Sequence, residues 1–89
     1  MKNQLFIGGK WIETNNKLDV INPADETLIT QVSLSSDKEN ELAIESAYQA
    51  FTTWSKTAPR ARAEILRKAF ELMIANADYL AELITRENG

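Results

Sequence analysis

The sequence contains no cysteine and no histidine among its 89 residues. Thiolate nucleophiles, disulfides, imidazole bases and the usual zinc ligands are therefore excluded from this chain. It also lacks a charged start followed by an apolar segment, and no apolar run reaches the roughly 18 residues that cross a bilayer. We expect neither a signal peptide nor a membrane span, and the expected location is the cytoplasm.

Signals for nucleic acid are missing as well. The net charge is −3, and acidic residues alternate with the basic ones. Glu64 and Glu71 interrupt the densest basic cluster, which comprises Lys56, Arg60, Arg62, Arg67 and Lys68. Such an interrupted cluster is typical of a solvated helix face. We therefore expect no nucleic-acid partner.

The first 35 residues predict two β-hairpins. Two short apolar runs flank Gly8-Gly9, a pair that suits the positive φ values of a two-residue hairpin turn. A second extended run over residues 17–21 ends at Asn22-Pro23, because proline disfavours a helical predecessor and cannot donate to a ladder. The following LITQVSL alternates, which places Leu28, Val32 and Leu34 on a buried face and Gln31 and Ser33 on the other.

Residues 36–56 predict a first helix. Ser36 and Glu39 have the spacing of a capping box, in which each residue satisfies a backbone N–H of the other. An apolar face then follows at helical spacing, and we interpret it as core: Ile44, Ala47, Tyr48, Phe51 and Trp54.

The last third of the chain predicts two further helices, over residues 59–75 and 77–88. Pro59 suits a first helical turn, and Gly89 suits a helix end. We place the break near Asn76 because asparagine is a favourable N-cap. One apolar stripe runs through both helices and is typical of a surface that packs against other protein: Leu66, Ala69, Phe70, Met73, Ala77, Leu80 and Ile84.

The order and spacing of five segments resemble the N-terminal part of the aldehyde dehydrogenase superfamily. The segments are LFIGGKWI, INPADETLITQV, AYQAFTTW, PRARAEILRKAF and AELITRENG. Within the superfamily, Phe70, Leu72 and Met73 in RKAFELM are most similar to the succinate-semialdehyde dehydrogenase branch. The expected fold is an α+β fragment, two short antiparallel β-hairpins followed by three helices, of an α/β enzyme with a Rossmann-type cofactor domain.

The resemblance implies a parent enzyme of several hundred residues that oxidises an aldehyde, succinate semialdehyde, with NAD or NADP. In that family a cysteine thiolate attacks the aldehyde, an asparagine and a backbone N–H stabilise the oxyanion, and a glutamate activates the hydrolytic water. None of these positions falls within residues 1–89. We therefore assign no catalytic and no cofactor-binding residue here, and expect the chain alone to be inactive.

The resemblance also implies partners and one candidate ion site. The expected partners are the remainder of the parent chain and, in the full-length enzyme, further copies in a homodimer or homotetramer. In some members the carbonyls just before the Asn-Pro pair help to bind a monovalent cation, and here these belong to Val20 and Ile21. The alternative hypothesis is a small non-catalytic α+β module that binds a partner through its helix stripe.

Overall fold

The computed structural model describes residues 2–89. Its elements are β1 (Leu5–Ile7), β2 (Lys10–Ile12), β3 (Lys17–Ile21), β4 (Leu28–Ser33), α1 (Asp37–Trp54), α2 (Pro59–Ala75) and α3 (Ala77–Asn88). The strands form two separate antiparallel pairs, β1 with β2 and β3 with β4. This confirms the predicted α+β class. No helix in the described part of the chain is long and apolar enough to cross a membrane.

The first hairpin turns at Gly8 and Gly9, whose φ angles are +59° and +77°. Beside the turn, Phe6 lies opposite Trp11, and the ring centroids are 4.8 Å apart. A Cβ atom at Gly8 would lie only 3.0 Å from the Oγ atom of Ser46 in α1. The positive φ of Gly8 favours glycine in the turn, and the absence of a Cβ atom also leaves room for the Ser46 side chain of the helix.

The second hairpin contains a bulge and a tightly hydrogen-bonded turn. The register shifts between Val20 and Ile21, which pair with Thr30 and Leu28. Asn22 anchors the turn, because its side-chain oxygen accepts from the Ala24 N–H at 3.0 Å and its carbonyl accepts from the Glu26 N–H at 2.7 Å. Glu26 itself has a φ of +62°, a conformation that is uncommon outside glycine.

The predicted faces of β4 are wrong at Ser33, which is 7% exposed and is the one buried residue of the described chain. Its Oγ atom accepts from the Thr14 N–H at 3.2 Å and from Lys17 Nζ at 3.1 Å. Leu28 and Leu34, predicted to be buried, are exposed. The bulge that follows Leu28 interrupts the alternation of faces along β4. The hydrogen bonds of Ser33 direct its face of the strand toward residues 14–17.

The capping pattern at the start of α1 is present. The Ser36 N–H donates to Glu39 Oε2 at 3.1 Å, and the Ser36 hydroxyl also donates to this carboxylate. These hydrogen bonds hold the pKa of Glu39 below its ordinary value, since they favour the charged form.

α2 and α3 meet at Asn76, but this residue does not act as the predicted side-chain N-cap. Its amide Nδ2 donates backward to the Leu72 carbonyl at 2.8 Å, and its backbone N–H donates to the same carbonyl at 3.1 Å. The Leu80 N–H then donates to the Asn76 carbonyl at 2.9 Å. Asn76 therefore closes α2 with its side chain and starts α3 with its backbone.

The molecule has an open shape. Its radius of gyration is 16.6 Å, whereas a compact chain of this length has one of about 12 Å. Its accessible surface is 7425 Å², which exceeds that of a compact protein of this mass by roughly 2,000 Å². No apolar side chain among residues 2–89 is buried. The described chain therefore has secondary structure without a hydrophobic core of its own.

Candidate functional site: an uncovered helix surface and two strand carbonyls

The apolar face of α2 is wide as well as uncovered. Leu66 is 68% exposed and Phe70 is 60% exposed. Four further apolar residues of the helix are between 55% and 63% exposed, namely Ile65, Leu72, Met73 and Ile74. At about 100° per residue these positions span roughly 200° of the helix circumference. A helix that packs on one neighbour needs a stripe of only about 100°. The α2 surface is therefore suited to contact with protein on two sides.

The remaining side of α2 is charged. Arg67 Nε lies 3.4 Å from Glu71 Oε1, in an exposed pair one turn apart. Glu64 and Lys68 lie on the same side. Exposed pairs of this kind contribute less than about 1 kcal/mol to stability, so this side is a solvent face that leaves the apolar side for packing.

α1 also presents its aromatic residues outward. The groove between α1 and the first hairpin is lined on the helix side by small residues, namely Ala43, Ser46, Ala47 and Ala50. Tyr48 is 68% exposed, and Ile44 and Phe51 are comparably exposed. The predicted core role of these three residues is therefore wrong within this chain, and so is that of Ala47 and Trp54, which are also exposed. The hairpin packs on the small-residue side, because Gly8 must approach the helix closely.

A groove lies at the elbow where α1 ends and α2 begins. It is lined by Trp54, Pro59, Arg62, Ala63 and Leu66. The Nε atom of Arg62 is shielded from solvent and has no hydrogen-bond partner in residues 2–89. Sequence reasoning placed Arg62 in a solvated basic cluster and missed this environment. Its position one turn after Pro59, on the Leu66 side of α2, was the available signal.

The candidate cation ligands, Val20 and Ile21, lie at the register shift of the second hairpin. Val20 is half-buried and Ile21 is partly exposed. The carboxylate of Asp25, in the turn that follows, accepts from the Thr27 hydroxyl at 2.6 Å and from the Thr27 N–H at 3.1 Å. These hydrogen bonds, with a smaller contribution from Arg86, hold the pKa of Asp25 below its ordinary value. Asp25 is therefore engaged within its own turn.

The described chain offers a cation few other ligands. No group of three acidic, histidine or cysteine side chains is positioned to hold a metal ion among residues 2–89. The two carbonyl oxygens fit a hard cation chemically, but they supply only part of a coordination shell. Any ion at Val20 and Ile21 would need oxygen ligands from elsewhere.

Comparison with known proteins identifies the class to which this chain belongs. The sequence profile of the aldehyde dehydrogenase family matches residues 11–89. The chain is therefore a member of the aldehyde dehydrogenase family, as the sequence resemblance predicts.

Among individual relatives, the chain is 49% identical over 86 residues to the malonate-semialdehyde dehydrogenase of Bacillus pumilus, and the match covers 94% of this chain. It is 40% identical over 91 residues to the mitochondrial succinate-semialdehyde dehydrogenase of Arabidopsis thaliana, and this match covers the whole chain. The matches cover 18% and 17% of these two relatives. The chain thus spans less than a fifth of the length of these relatives.

Proposed function

We propose that this chain is the segment of an NAD(P)-dependent aldehyde dehydrogenase that lies against the catalytic part of the enzyme and helps to support it. The similarity over residues 11–89 to a family of aldehyde-oxidising enzymes carries this proposal. The roughly 200° of uncovered apolar surface on α2 supports it, because such a surface needs protein on two sides. In this proposal the remainder of the parent chain supplies that protein.

The proposed substrate class is a short aldehyde that carries its own carboxylate. Two relatives are named for malonate semialdehyde and succinate semialdehyde, and both compounds have this structure. The resemblance at Phe70, Leu72 and Met73 favours succinate semialdehyde, whereas the higher identity belongs to a malonate-semialdehyde enzyme. The proposal therefore covers the class that these two substrates share.

The chemistry belongs to residues outside the 89. The sequence has no cysteine for the family's thioester step. In the proposed reaction the thiolate adds to the aldehyde, hydride leaves to give a thioester, and water then releases the carboxylic acid. NAD or NADP, when bound, accepts the hydride. The role of residues 2–89 is to place α1, α2 and α3 against the protein that carries out these steps.

The carbonyls of Val20 and Ile21 are proposed to contribute to a monovalent-cation site in the parent enzyme. The register shift opposite these two residues supports this, because the extra residue of β4, Ile29, disrupts the ladder where the Val20 and Ile21 carbonyls lie. Homo-oligomerisation of the parent enzyme is likewise proposed on the family resemblance.

A chimera tests the proposal. In the malonate-semialdehyde dehydrogenase of Bacillus pumilus, the segment that aligns with this chain is replaced by the residues of this chain. We expect a folded enzyme that oxidises semialdehydes at a rate within about tenfold of the parent. A scrambled segment of the same composition serves as the control. An insoluble chimera, or one as inactive as the scrambled control, would refute the proposal.

A further inference from the structure

Arg62 carries a donor that nothing in the described chain satisfies. Its Nε atom is shielded from solvent and has no hydrogen-bond partner. The ion pairs of residues 2–89 are Lys17 with Glu13 and Arg67 with Glu71, so Arg62 takes part in neither. A shielded polar group without a partner destabilises a protein, and charged groups do so more strongly.

The groove around Arg62 is suited to a carboxylate. Trp54, Pro59, Ala63 and Leu66 form largely apolar walls, and the groove is open on its outer side. When a partner covers the groove, its apolar walls exclude water and strengthen the attraction between opposite charges. The planar guanidinium presents several donors in a fork that matches the two oxygens of a carboxylate.

We propose that the α1–α2 elbow groove receives an aspartate or glutamate side chain from the part of the parent dehydrogenase outside these 89 residues. Arg62 is then a positioning residue that fixes how α2 is seated on the rest of the enzyme. This inference depends on the proposed function, since the acidic residue belongs to the parent chain.

The acidic residues of α2 itself do not fill this role. Glu71 already pairs with Arg67 at 3.4 Å. Glu64 lies about 200° around the helix from Arg62, on the opposite side. The relatives are more than five times as long as the segment that they share with this chain, so most of the enzyme remains available to supply the carboxylate.

The test compares three variants of the chimera. Arg62→Met keeps the apolar stem of the side chain and removes the donors, while Arg62→Lys keeps the charge and loses the fork. Arg67→Met is the matched control, because Arg67 is an exposed arginine of the same helix. We expect Arg62→Met to lower the melting temperature by about 2–5 °C, Arg62→Lys by less, and the control by under about 1 °C.

A crystal structure of the chimera provides the second measurement. We expect a carboxylate oxygen about 2.7–2.9 Å from a guanidinium nitrogen of Arg62. This inference is wrong if the guanidinium faces solvent or only backbone carbonyls. It is also wrong if Arg62→Met has the same melting temperature as Arg67→Met. In both cases an active chimera leaves the proposed function standing. If the unmodified chimera does not fold, the proposed function itself fails and this inference fails with it.

Discussion

Lys17 and Ser33 lie opposite each other in the second hairpin, and Lys17 Nζ donates to Ser33 Oγ at 3.1 Å. Lys17 Nζ also lies 2.9 Å from Glu13 Oε1, and Ser33 Oγ accepts a second hydrogen bond from the Thr14 N–H. The hydroxyl of one buried serine therefore joins β4 to β3 and to the segment that precedes it.

Removal of this hydroxyl should destabilise the hairpin. Ser33→Ala leaves the Thr14 N–H without its acceptor, and we expect a loss of about 1–3 kcal/mol in the free energy of unfolding of the chimera. Denaturant unfolding provides the measurement, and Ser55→Ala, at an exposed serine, serves as the control. Equal midpoints for the two variants would show that the Ser33 contacts contribute nothing.

Phe70→Ala should have a small effect in the 89-residue chain and a large one in the chimera. In the 89-residue chain Phe70 is 60% exposed, so its truncation should change little. In the chimera we expect a loss of about 3–5 kcal/mol, because deletion of a packed ring leaves a cavity. Unfolding curves for both proteins, with Lys68→Ala as the exposed control on the same helix, test the difference. An unchanged midpoint in the chimera would show that Phe70 is not covered there.

The isolated chain should self-associate in solution. It exposes roughly 2,000 Å² more surface than a compact protein of its mass, and much of the helix surface is apolar. We expect a concentration-dependent sedimentation coefficient, binding of a hydrophobic dye and a broad thermal transition. A monomer with one sharp transition at every concentration would contradict this and favour an independently folded interaction module.

The helicity of the chain should depend on pH through Glu39. Its folded pKa lies below the ordinary value of 4.5, so its contribution to α1 is fully present above pH 4.5 and is lost as the pH falls through the folded pKa. Circular dichroism between about pH 2.5 and 6.5, roughly two units on either side of that value, measures the change. We expect Glu39→Gln to weaken this dependence, whereas Glu41→Gln should preserve it. If the unmodified chain, Glu39→Gln and Glu41→Gln show the same dependence of helicity on pH, the Glu39 carboxylate does not contribute to α1.

The features that sequence analysis predicted are those fixed by near neighbours. The Gly8-Gly9 turn and the Ser36 and Glu39 cap depend on residues within three positions of one another, and both are present. The α+β class and the family follow from the order of such local elements.

The features that sequence analysis missed depend on distant residues or on competing local choices. The burial of Ser33 depends on contacts with Thr14 and Lys17, 19 and 16 positions away. Asn76 can cap either α2 or α3, and its side chain donates a hydrogen bond to the preceding helix, α2. The outward aromatics of α1 reflect the close approach of Gly8 to Ser46, which periodicity cannot reveal.

The glycine turn held against α1 has a consequence for the order of assembly. A two-residue hairpin and a capped helix close over short stretches of chain, which makes them early events in folding. The apolar surface of α2 gains its contacts only when parts of the polypeptide that are distant in sequence pack against it. In the proposed parent enzyme the slow step would then be the enclosure of α2, after both hairpins have already formed.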